Sequence, residues 1–194
     1  MMHMGLFSNR GKDFLKKNEI EIRLYVFFDC KEDFEKVKVL VKGVFEKAGV
    51  KSSFVHNDEA PEITLEKGKS TKSVSIVSEI IRLSLADFIK FKKDIEGVKD
   101  ATLKRAEKEL KKFEFVLEYV LPLKDITFSD IQKMKELDET LKKIVLNVNS
   151  EEELNKLKSE LPKIATGIRL GRGKFLEQDD IYKLTLMLQA FVGV

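Results

Sequence analysis

Six apolar residues between Asp100 and Leu121 are spaced 3-4-3-4-3 along the chain: Leu103, Ala106, Leu110, Phe113, Leu117 and Val120. That spacing lines them along one face of a helix. Lys104, Arg105, Lys108, Lys111 and Lys112 then fall on the opposite, solvated face. A helix over 100–121 would divide a strand-and-helix first half from a mostly helical second half. The same window carries another pattern. Phe113, Phe115, Leu117, Tyr119, Leu121 and Leu123 alternate, which also fits a strand. The heptad covers more residues and its flanks are rich in helix formers, so helix is the assignment taken and strand the alternative.

Before this segment, Ile20 to Phe28 alternates as a strand, with Ile22, Leu24 and Val26 on one face and Arg23, Tyr25 and Phe27 on the other. A helix follows from Asp29 to Ala48, with Gly49 closing it. Val50 to His56 reads as a second strand, and Asn57 to Pro61 as a turn. Glu62 to Glu66 and Lys72 to Leu83 then pair around Lys67-Gly68-Lys69-Ser70. Ser84 with Asp87 is a capping-box spacing for a helix ended by Gly97. Beyond Pro122, helices are expected from Ser129 to Val148, from Ser150 to Leu161 and from Gln178 to Val192, with Gly167, Gly171 and Gly173 in a loop. The expected class is α+β: an antiparallel-leaning β-α-β-β-β-α half packed with a mostly α-helical half. The boundaries are a basic N-terminal arm over 1–19, an α+β sheet subdomain over 20–98 and a helical subdomain over 99–194.

Charged residues make up 36% of the 194 positions, against roughly 25% in an ordinary soluble protein. With little Gln, one Cys and no Trp, this is a thermophile-like composition. The net charge of +3 is mild, but it is segregated. Ten basic and six acidic residues lie between Arg82 and Lys112, and four basic and no acidic ones between Lys163 and Lys174. The lone Cys30 allows no internal disulfide and fits a reducing, cytoplasmic compartment. Neither a leader nor a membrane span is expected.

Most enzyme chemistry fails on spacing. Two histidines without nearby ligands do not make a zinc site, and no nucleophile stands beside a base. The expectation is therefore no catalytic residue, no metal and no cofactor, with enzyme activity left open on the negative side. In Ile168 to Phe175, IRLGRGKF, Ile168 and Phe175 replace the glycine and hydroxyl that a phosphate-cradling loop requires. Arg169, Arg172 and Lys174 could still follow a sugar-phosphate backbone.

This phrase resembles the glycine-rich loop of the repeat-associated RNA-binding proteins of CRISPR effector complexes, which also carry a ferredoxin-like sheet. The resemblance covers this short stretch alone, and it implies an RNA-bound subunit of such a complex.

Two functions of different classes emerge. In the first, the chain is a non-enzymatic nucleic-acid-binding protein, with single-stranded DNA or RNA favoured. Arg23, Lys104, Arg105, Lys108, Arg169, Arg172 and Lys174 would hold phosphates while Tyr25 and Phe27 stack bases. That stacking requires an open sheet face; a C-terminal helix laid over it would make both rings core. In the second, the chain is a helical oligomerisation or scaffold subunit, with Leu103, Leu110, Phe113 and Leu117 facing a second copy or a partner helix.

Overall fold

The computed structural model describes residues 9–172 and 175–192, with side chains over 13–171 and 175–188. Its elements in order are α1 (Asn9–Lys17), β1 (Glu19–Phe28), α2 (Phe34–Val41), α3 (Val44–Lys47), β2 (Val55–Lys67), β3 (Ser70–Ser84), α4 (Leu85–Glu109), β4 (Phe113–Pro122), α5 (Phe128–Leu137), α6 (Glu139–Ile144), α7 (Glu151–Glu160), β5 (Lys163–Arg172) and α8 (Gln178–Val192). The α+β class and the antiparallel sheet are as expected. Five strands lie in the order β2-β3-β1-β4-β5, and every neighbouring pair is antiparallel. From β1 to β4 the path is β-α-β-β-α-β with β1 and β3 central, the split β-α-β arrangement. β5 extends that sheet at the β4 edge, so one sheet runs through both the 20–98 and the 99–194 segments.

Each sheet face has its own core. Even-numbered residues of β1, from Ile20 to Phe28, point into the larger one, where α1 to α7 supply Phe14, Val37, Phe45, Phe88, Ile131, Leu141 and Leu154. Odd-numbered residues point the other way. There Tyr25 and Phe27 meet Val74, Ile76, Val116 and the α8 side, with Leu176, Ile181, Leu184 and Leu188. The 9–17 segment is a helix docked through buried Phe14.

The segment 100–121 corrects the heptad assignment. α4 runs through Gly97 and stops at Glu109, and Phe113–Pro122 is a strand. Phe113, Phe115, Leu117, Tyr119 and Leu121 enter the helix-side core, while Val116 and Val120 are buried on the other face. The two periodicities share Phe113 and Leu117, so a heptad fitted across the α4–β4 junction was coincidental. Tertiary pairing decided the matter, because β4 covers the edge of β1 in unbroken register from Glu21↔Val120 to Phe28↔Phe113.

Further assignments change, and the expected 29–48 helix is broken into α2 and α3 at Gly43, whose φ is +68°. Val55–Lys67 is one strand through the expected turn, with a bulge between Ala60 and Ile63 that accommodates Pro61. The 129–148 helix is two, capped by Thr127 and by Asp138, whose carboxylate accepts from the Thr140 and Leu141 N–H groups at 2.8 and 3.1 Å. Lys163–Arg172 is strand rather than glycine loop. Gly171 is there for space: a Cβ would lie 2.5 Å from the Phe113 carbonyl oxygen of β4.

Candidate nucleic-acid interface

α4 presents Lys93, Gly97, Ala101 and Arg105 at i, i+4 intervals, one column on the helix surface. Two cations therefore bracket two residues with almost no side chain, twelve positions or about 18 Å apart along the axis. Beside this column the end of α3 brings Lys47, and Leu40 and Ala48 form an apolar floor. The result is a groove of about 500 Å³ with three cations and one carboxylate, Asp94, on its rim. Ser84 starts α4 in the right place, its hydroxyl accepting the Asp87 N–H at 3.1 Å. Lys47, Lys93, Lys104, Arg105 and Lys108 are all exposed. Arg105 reaches Glu109 at 2.9 Å, an exposed pair one turn on that contributes only about 0.3–0.5 kcal/mol and is readily exchanged.

The remaining expected residues lie elsewhere. Tyr25 and Phe27 are 1% and 0% exposed, their rings stacked on each other at 5.9 Å beneath α8. No base reaches them in this arrangement, because the apolar side of α8 covers that half of the sheet. Arg23 is buried as well. Its Nε and Nη2 donate to Glu21 Oε2 at 3.0 and 2.5 Å, and its Nη1 lies 3.8 Å from Glu118. Glu21 also takes Arg82 Nε at 3.0 Å and has Lys163 at 4.0 Å.

Burial pulls the Glu21 carboxyl upward, but Arg23, with Lys163 and Arg82, outweighs that and holds it below the ordinary carboxylate value. Glu118 goes the other way. Burial raises it, Arg23 offsets part of the rise and Glu21 adds to it.

Arg169 grips Glu114 with two hydrogen bonds of 2.9 and 2.7 Å and donates to the Leu176 carbonyl, anchoring the approach to α8 rather than facing solvent. Arg172 ends β5 opposite Phe113, and its side chain and Lys174 lie outside the described residues. Leu110, Phe113 and Leu117 are buried in the helix-side core, and Leu103 packs against it, so none of them offers a face to a second chain. The structure thus keeps Lys104, Arg105 and Lys108 together and separates them from the other expected residues. Lys47 and Lys93 were missed; the 93–97–101–105 column, hidden by ending the helix at Gly97, is the signal for Lys93, whereas Lys47 joins only because α3 packs beside α4.

The Cys30 thiol donates to Glu32 at 3.0 Å and is raised by that bond, opposite to an activated cysteine. Among the described residues, no group of three or more His, Cys, Asp or Glu side chains could hold a metal ion. Among them too, no helix is long and apolar enough to cross a membrane. No family model, curated protein or solved structure matches this chain.

Proposed function

We propose that the chain is a non-enzymatic nucleic-acid-binding protein that takes single-stranded DNA or RNA into the groove between α3 and α4. One observation carries this reading: exposed cations at both ends of a helix column whose middle is glycine and alanine. Lys47, Lys93 and Arg105 hold phosphates, Lys104 and Lys108 extend the cationic track, and the apolar floor receives an unstacked base. A duplex keeps its bases paired inside and gains nothing from that floor. Base stacking on Tyr25 and Phe27 is no part of this reading.

Fluorescence anisotropy with labelled oligo-dT, oligo-U and a duplex of equal length tests it. Single strands should bind more tightly than the duplex, with log K falling linearly against log salt as counterions are released. Binding without a salt slope, or a preference for the duplex, would refute the proposal.

A further inference from the structure

The two edges of the sheet are built differently. β2 carries Pro61 at a bulge and the charges Asp58, Glu59, Glu62 and Glu66, all of which discourage another strand from pairing there. β5 is defended by charge alone, through the basic Lys163, Arg169 and Arg172. Its ten residues pair with β4 without a register break, contain no proline and no carboxylate, and leave Ile168 41% exposed. Among the described residues β5 pairs with β4 alone, so its outer row of N–H and C=O groups faces away from the sheet.

We propose that β5 accepts an extended segment of a partner protein as a sixth, edge-added strand, and that this segment carries a carboxylate beside Lys163. The alternation of β5 sets what fits. On the helix side Ile164, Ile168 and Leu170 favour apolar side chains from the incoming strand. On the other face Ala165 and Gly167 are exposed and small, leaving room for larger polar ones. Lys163 lies 4.0 Å from Glu21, a carboxylate already bonded to Arg23 and Arg82, so it is the least committed cation of that cluster and the one an acidic residue would meet. A second copy fits less well. The charges of β5, Lys163, Arg169 and Arg172, are all basic, so pairing two β5 strands sets a basic strand beside a basic strand.

The probe is a fluorescein-labelled decapeptide with Val at alternate positions and Glu or Thr between them, compared on the full chain with the same peptide bearing Lys for Glu. The acidic peptide should bind about tenfold or more tightly than the basic one, and should slow amide exchange within Lys163–Arg172. Ile168→Lys should weaken it about tenfold, with folding verified by circular dichroism. Lys163→Glu, on a partly exposed side chain, should reverse the preference between the peptides. Failure of both peptides to bind at about 1 mM, equal affinity for the two, or protection elsewhere in the chain would overturn the proposal. So would a doubling of mass by light scattering with β5 amides protected in the absence of peptide, which assigns the edge to a second copy.

Discussion

Glu21 is the residue on which the charged half of the second sheet face depends. Replacing it with Gln leaves Arg23 buried without its carboxylate, and breaking a buried pair from one side costs about 3–5 kcal/mol; chemical denaturation measures the loss. The carboxylates also set a pH profile. Glu21 titrates below the ordinary value of about 4.3, so its contribution is fully present above that value and is lost as pH falls through its lower folded pKa. Glu79 and Glu118 have the opposite sign. Burial raises both, against the Gly43 and Phe45 N–H bonds and Lys47 for Glu79, so their contribution falls as pH rises through the folded pKa and returns on acidification. The melting temperature should therefore rise modestly as pH falls from 7 toward the ordinary carboxylate value of about 4.3, and drop below it. Glu118→Gln should flatten the rise; a steady fall from pH 7 downward would contradict this assignment. Two glycines make a contrasting pair in the same denaturation assay. Gly97→Ala meets nothing within 4 Å and should stabilise α4 by about 0.4–1 kcal/mol. Gly171→Ala drives a Cβ against the Phe113 carbonyl and should destabilise by about 1–3 kcal/mol.

Elements were legible where local chemistry decides them. β1 alternates, Ser84 and Ser150 cap as their spacing implies, and α8 spans the expected Gln178–Val192. Those that depend on distant partners were not. Phe113–Pro122 is a strand because β1 and β5 flank it, and Lys163–Arg172 is one because β4 lies beside it. Nothing within either window reports those neighbours, and the glycines at 167 and 171 imitate a loop. Pro61 hid the continuity of β2, since a bulge absorbs it only once β3 is in place. The site followed the same rule: exposed cations on α4 could be read from its polar face, whereas the covering of Tyr25 and Phe27 depended on where α8 docks. The reassignment of β4 has a direct consequence. Leu117→Lys puts a charge into the core and should abolish cooperative folding by circular dichroism; a folded, dissociated variant would restore the heptad seam.

At the scale of the molecule, one sheet separates two cores. The larger, built with α1 to α7, holds α4 in place with its cationic column turned outward. The smaller, closed by α8, consumes the aromatic face that might have stacked bases. The proposed nucleic-acid binding lies on the helical side of the sheet, and the proposed edge pairing on β5. The decisive measurement is the salt dependence of oligo-dT affinity for the wild-type chain, for Lys93→Glu/Arg105→Glu, and for Lys142→Glu/Lys143→Glu, which alters exposed lysines of α6 outside the groove. The groove variant should remain folded, bind more weakly and lose about one to two units of log–log salt slope, while the α6 variant matches wild type. An unchanged slope in the groove variant, or an equal loss in both, would contradict the assignment of nucleic-acid binding to α4.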